Sequence, residues 1–262
     1  MRVVSLLPAA TEIVALLGQT DSLVGISHEC DWPPRLPDDL PRLTEPRIDL
    51  EGTSGEIDGE VRDLLADGLS NYDLDVETLV GLEPDVVLTQ DQCSVCAVDL
   101  EQVEEALADR VGEQVELVSL QPSTIGEVLE QITQVAEALE VEAEGLVRRR
   151  KMARKMDRAT NAVPPNTPAP TVCFVEWLDP LMVAGHWIPE MVDRAGGRYP
   201  FAEAGEPSRE VDFAEIRELD PDVIIIAPCG MDTVELRSEL GSLTERDGWN
   251  DLSAVERARV HP

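Results

Sequence analysis

The residues best suited to chemistry in this chain are few and gathered. Two of its three histidines, three of its four tryptophans and four of its five cysteines fall in short segments that follow β-branched, aliphatic runs. Those segments are His28-Glu29-Cys30-Asp31-Trp32, Gln90-Asp91-Gln92-Cys93-Ser94-Val95-Cys96, Glu176-Trp177, Gly185-His186-Trp187 and Pro228-Cys229-Gly230. Indole faces suit a flat, largely apolar ligand, while imidazole, carboxylate and carboxamide groups suit its polar rim. The candidate ligand contacts are therefore Thr11, Glu12, His28, Glu29, Trp32, Gln90, Gln92, Glu176, Trp177, His186, Trp187 and Cys229. His261 stands at the chain end and is assigned no role.

Cys93-Ser94-Val95-Cys96 is a C-x-x-C placed between an expected strand and an expected helix, where a helix N-terminus lowers thiol pKa values. Three roles stand open for it. They are thiol redox chemistry, ligation of zinc or iron by His28, Cys30, Cys93 and Cys96, and inert thiols lining a pocket. A cytoplasmic metal- or thiol-dependent enzyme or redox sensor is accordingly the alternative to a binding protein. The sequence carries no phosphate-binding glycine loop, no serine-nucleophile motif and no base beside a nucleophile. Reversible binding without catalysis, and with no required cofactor, is the expectation.

The elements that must position these residues alternate between strand and helix. Residues 3–7 and 23–27 read as buried strands flanking a helix from Thr11 that Gly18 stops; 31–56 reads as loop. Helical spacing continues over 57–69, 76–82 and 100–107, with a strand at 86–88. Thr124 and Glu127 have capping-box spacing ahead of the apolar face Val128, Leu129, Ile132, Val135 and Leu139. A polar helix over about 142–160 holds seven of the 21 basic residues and ends before Pro164-Pro165. Then the first pattern recurs, with strands at 171–175 and 223–226 and a helix at 189–195 stopped by Gly196-Gly197. The echo is closest between Leu82-Glu83-Pro84-Asp85-Val86 and Leu219-Asp220-Pro221-Asp222-Val223. Alternation of this kind predicts an α/β protein with parallel sheets in two similar lobes, 1–141 and 163–262, joined by a single bridging helix over 142–162. In such sheets ligands bind beyond the carboxyl ends of the strands, which is where the candidate residues should converge.

Composition sets further bounds. The formal net charge is −32, from 53 acidic against 21 basic residues, and only two of the basic residues are lysines. Self-repulsion on that scale is screened within about 3 Å at molar salt, which predicts a halophilic setting and disfavours nucleic acid as a partner. No apolar run approaches the roughly 20 residues of a membrane span. An odd number of scattered cysteines and a start without a leader pattern predict a monomer in the cytoplasm, or outside it if an export signal has been removed.

Ser5-Leu6-Leu7-Pro8-Ala9-Ala10-Thr11-Glu12-Ile13 together with residues 82–88 and 219–226 resembles the periplasmic-binding family that serves cobalamin, haem and iron-siderophore ABC importers. The resemblance extends over nearly the whole chain and implies two Rossmann-like lobes joined by one long helix, a ligand in the interlobe cleft and only small movements. The segments around His28, Gln90 and Glu176-Trp177, with Ala184-Gly185-His186-Trp187, resemble a cobalamin-binding subgroup often without an export signal. That resemblance implies a corrinoid or related tetrapyrrole or metal chelate as ligand, and an ABC permease as partner. The family usually adds a final strand and helix beyond Val260-His261-Pro262.

Overall fold

The computed structural model describes residues 1–34, 36–37, 39–49, 52–67, 69–90, 100–108 and 115–262. These fall into two compact units: Met1–Leu50, Glu60–Pro122 and Gly126–Ala153 form the first, and Glu51–Gly59, Ser123–Ile125 and Arg154–Pro262 the second.

The chain first runs through strand β1 (Val3–Ser5), helix α1 (Pro8–Leu16), β2 (Leu23–Ile26), β3 (Thr44–Pro46), α2 (Ser54–Ala66) and β4 (Tyr72–Leu74). It continues through α3 (Val76–Gly81), β5 (Val86–Thr89), α4 (Leu100–Ala108), β6 (Glu116–Ser119), α5 (Ile125–Ala138) and α6 (Glu142–Asn161). The first strand is shorter than its apolar run because Pro8 sits in the first turn of α1, where its fixed φ suits a helix and its missing N–H costs nothing. Strands β2-β1-β5-β6 form a wholly parallel sheet, with Val3, Val4 and Ser5 paired to Val86, Val87 and Leu88. Side chains alternate across it. Val3, Val86 and Leu88 pack with Ala10, Val14 and Val135 from α1 and α5, while Val4 and Val87 pack on the other side with Leu79 and Val103 from α3 and α4. Strand β3, in a region expected to be loop, and β4, between two expected helices, form a separate antiparallel pair.

Helix α6 is one continuous helix of 20 residues, as its polar periodicity predicted. A Cβ on Gly145 would lie 2.4 Å from the Ala136 methyl, so only glycine lets α6 approach α5 this closely.

In the second unit come β7 (Val172–Trp177), β8 (Met182–Val183), α7 (Ile188–Arg194), β9 (Arg209–Glu210), α8 (Phe213–Leu219) and β10 (Val223–Ile226). Helices α9 (Thr233–Glu239), α10 (Gly241–Thr244) and α11 (Ser253–Glu256) and strand β11 (Val260–His261) complete it. The sheet order is β11-β10-β7-β8-β9. Its first three strands are parallel, but β8 and β9 are antiparallel to their neighbours, so this sheet is mixed where a parallel one was expected. Trp249, the tryptophan outside the candidate segments, is buried in its core with Ile224, Leu236 and Leu243.

Among the described residues no helix is long and apolar enough to cross a membrane.

Candidate functional site

In the first unit the loop after β2 is tied down by two residues that lie outside the candidate set. Arg42 donates from Nη1 to three carbonyls of the loop, Ser27 at 3.0 Å, His28 at 3.0 Å and Cys30 at 2.7 Å. Thr44 Oγ1 accepts the His28 backbone N–H at 3.0 Å, meets the imidazole Nδ1 at 2.6 Å and the Ser27 hydroxyl at 2.9 Å. The imidazole is thereby fixed in place, with the Tyr72 ring 5.4 Å away. Its Nε2 lies 3.1 Å from Glu29 Oε1 without making a hydrogen bond.

Around this imidazole the candidate residues differ in character. Trp32 is 55% exposed, an indole held largely in solvent. Glu12 reaches solvent, yet partial desolvation, and secondarily the charge of Asp31, hold its carboxyl above the ordinary value. Thr11 is fully buried and its hydroxyl donates to Ser5 Oγ at 2.8 Å. The same hydroxyl stands 3.0 Å from Cys30 Sγ. Cys30 is itself fully buried in the apolar core, and that burial raises its thiol pKa, the opposite of what a reactive thiolate or a metal ligand needs. Gln90 follows β5 and is half-buried. Gln92, Cys93 and Cys96 lie outside the described residues, and with them any shared zinc or iron set. Among the described residues no group of three histidine, cysteine or acidic side chains is placed to hold a metal ion.

In the second unit the half-buried Glu176-Trp177 ends β7. The Trp177 indole N–H donates to the Asp179 carbonyl at 3.0 Å and to the Ser54 carbonyl at 3.2 Å, Ser54 belonging to the same unit. Ser54 is in turn held by Glu239, whose carboxylate accepts its N–H at 3.0 Å and its hydroxyl at 2.8 Å. Cys229 is exposed after β10, its N–H 3.4 Å from the Glu176 carbonyl. Gly185-His186-Trp187 is clamped against residues 205–208. Gly185 N–H donates to Ser208 Oγ at 3.0 Å, and His186 exchanges backbone bonds with Glu206 at 2.5 Å and Gly205 at 2.9 Å. His186 takes a left-handed φ of 52°, unusual for a residue with a side chain. Backbone strain of this kind persists only where the surroundings hold it, as the 205–208 clamp does here.

The mixed sheet separates two sets expected to share one strand edge. Trp177 pairs with Met182, and β8 then runs back toward the start of β7. Ala184 then gives its N–H to the Phe174 carbonyl, so the chain has left the carboxyl edge before it reaches His186. Thus Glu176-Trp177 and Cys229 gather at the carboxyl edge, while His186-Trp187 lies toward the opposite end of β7. A cavity of about 430 Å³ lined by Asp157, Thr160, Asn161, Glu190, Asp193 and Arg194 holds none of the candidate residues.

The chain matches the periplasmic binding protein family over residues 3–261. Similar solved structures include a periplasmic haem-binding protein from Roseiflexus sp. RS-1, at 22% identity and a TM-score of 0.73, which covers 99% of this chain and 88% of that one. The periplasmic vitamin B12 binding protein of Vibrio cholerae is 20% identical with a TM-score of 0.68, over 99% of this chain and 86% of its own. A possible iron-binding solute-binding protein from Staphylococcus epidermidis is 18% identical with a TM-score of 0.71, over 99% and 88%. No curated protein matches by sequence. These findings overturn the expected cytoplasmic location, because the matching family and the named haem and B12 proteins are periplasmic. Scattered thiols misled on this point: Cys30 and Cys173 are fully buried and shielded from pairing in any compartment.

Proposed function

The chain belongs to the periplasmic binding protein family, and we propose on that footing that it reversibly binds a corrinoid or related tetrapyrrole or metal chelate and presents it to an ABC-type permease. The observation that carries this reading is the kind of side chain held on the loops after β2 and β7. The loop after β2 carries an indole, an imidazole and a carboxylate at Trp32, His28 and Glu29, and β7 ends in a carboxylate and an indole at Glu176 and Trp177, with hydrogen bonds holding the first loop and the second indole. Flat apolar faces with a few fixed polar groups suit a macrocycle with amide or carboxylate substituents. The folds that resemble this one include proteins described as binding haem and vitamin B12, which supports the same ligand class.

In this reading Thr11, Cys30 and Arg42 hold the first loop in shape, and Glu12, His28, Glu29, Trp32 and Gln90 face the ligand. Glu176, Trp177 and Cys229 are the second unit's contacts, and His186 and Trp187, toward the other end of β7, are not. Binding without covalent chemistry is part of this reading, and burial holds the Cys30 thiol above its ordinary pKa. The net charge of −32 further supports a high-salt medium. Titration with cyanocobalamin, dicyanocobinamide and hemin in molar salt tests the ligand class. One of them should quench tryptophan emission saturably and, at a hundredfold excess over its Kd, stabilise the fold by about 2.7 kcal/mol. Unchanged melting and emission with all three would refute the proposal.

A further inference from the structure

Helix α6 carries a feature that ligand binding does not use. Residues 148–158 hold seven cationic side chains against one aspartate, in a chain whose net charge is −32, and include both of its lysines. Arg148 pairs with Glu144 and Arg149 with Glu130. Arg150, Lys151, Arg154, Lys155 and Arg158 are all exposed, and none has a hydrogen bond or ion pair with the described residues. At 3.6 residues per turn these five cover an arc of about 140° centred near Val147, which is 57% exposed. The packed side, with Gly145 against α5 and Met152 on the core, is opposite.

We propose that this face of α6 docks on helix α2 of a second copy of the same chain. The α2 helix presents the complementary pattern. Glu56, Glu60, Asp63 and Asp67 are all exposed, and a bond from Asp67 N–H to the Asp63 carbonyl at 3.2 Å extends the turn past Ala66. Their steps of four, three and four residues place them on one stripe. Reading α6 backwards from Arg158 gives the same steps, through Arg154 and Lys151 to Val147. An antiparallel pairing therefore sets Glu56 by Arg158, Glu60 by Arg154, Asp63 by Lys151 and Asp67 beside Arg150, over about 17 Å of helix. The carboxylates of Asp63 and Asp67 have no partner among the described residues. Glu56 and Glu60 each use one oxygen locally, on Thr53 and on the Asp49 N–H. The Thr53 bonds, backbone then hydroxyl, hold Glu56 below the ordinary carboxylate value and keep it ionised.

A bilayer of anionic lipid is the competing occupant. A bilayer has no fixed charge spacing, whereas the α2 carboxylates recur at the same steps as the α6 cations. Exposed ion pairs contribute little each, so the association is weak and single copies prevail in dilute solution.

Sedimentation equilibrium of the full chain at one high salt concentration, from about 10 μM to about 1 mM, tests this. The wild type should show mass rising with concentration. R150E/K151E should weaken association at least about tenfold, and adding D63K/D67K to that variant should restore it. All four positions are exposed, and circular dichroism checks that each variant is folded. A single mass at every concentration, no change in R150E/K151E, or no restoration by the charge swap would each overturn the proposal. So would binding to phosphatidylglycerol vesicles that R150E/K151E abolishes, in the absence of self-association.

Discussion

Both units of this protein build the same joint between a helix and a central strand, and they part company beyond it. In the first, Leu82-Glu83-Pro84-Asp85 leads from α3 into β5, and Glu83 takes a left-handed φ of 44°. Asp85 then gives its N–H to the Arg2 carbonyl at 2.8 Å and takes the Arg2 N–H on its carboxylate at 2.6 Å. In the second, Asp220 takes a φ of 42° ahead of Pro221, and Asp222 makes the same pair of bonds with Thr171, at 2.8 and 3.0 Å. A left-handed residue, a proline and an aspartate clip thus start the inner strand of each parallel core. Outside the joint the first unit's main sheet adds only parallel strands, and the second unit's turns back at Asp179-Pro180 into an antiparallel edge. The repeated motif governs the core; the residues that would meet a ligand sit on what is not repeated.

The largest expected effect separates the edges. A Cβ on Gly185 would fall 2.4 Å from the Glu206 carbonyl oxygen and 2.5 Å from the Pro207 backbone, which cannot yield. G185A should cost about 3 kcal/mol or more in denaturant unfolding. G25A, inside β2, meets first the Leu43 and Leu82 side chains, a methyl group of each at 2.8 Å. Its cost should be about 1–2 kcal/mol, because side-chain ends shift. Equal losses would remove the contrast.

The two clips come next. Asp222 also holds Arg257 at 2.9 Å, so D222A should destabilise by about 2–3 kcal/mol and D85A by about 1–2 kcal/mol. If D85A proves neutral, the joint is a shared shape without shared energetics.

A comparable but local effect is expected at Thr44. T44V leaves the His28 N–H and Ser27 hydroxyl without their partner, at a cost of about 1–2 kcal/mol. It should also lower affinity for whichever chelate binds, while W187A, toward the other end of β7, alters emission more than fold. Wild-type affinity in T44V would separate the imidazole from the ligand.

The smallest effect near neutral pH is alkaline. Burial, with a further contribution from Glu215, pushes the Cys173 thiol from 9.0 up to about 12. The unfolded thiol ionises first, so the stability this contributes is intact below pH 9 and is lost as pH rises from there toward about 12. C173A should flatten the alkaline fall of the unfolding midpoint. In native protein, alkylation should reach the exposed Cys229 and spare Cys30 and Cys173.

Much of this was legible in the sequence where local chemistry dictates the outcome. The polarity and proline-rich exit of α6 placed it at 142–160, one residue from its observed end. The Leu-acid-Pro-Asp repeat announced the joint. Strands β3 and β4 were not legible, because three-residue strands paired across 25 intervening positions leave no periodicity. The reversal after Trp177 did leave a signal, the Asp179-Pro180 turn, which an assumption of parallel strands passes over. Arg42 and Thr44 escaped because their roles rest on reaching back to a loop 12 to 16 residues earlier, a distance that spacing rules do not span.

The ligand claim is tested most directly by equilibrium dialysis in molar salt against cyanocobalamin, dicyanocobinamide and hemin, read by visible absorbance. One of the three should concentrate on the protein side to a stoichiometry of about one per chain, and be released by dilution with its spectrum unaltered. Equal partitioning of all three across the membrane, with folded protein on one side, would contradict the account.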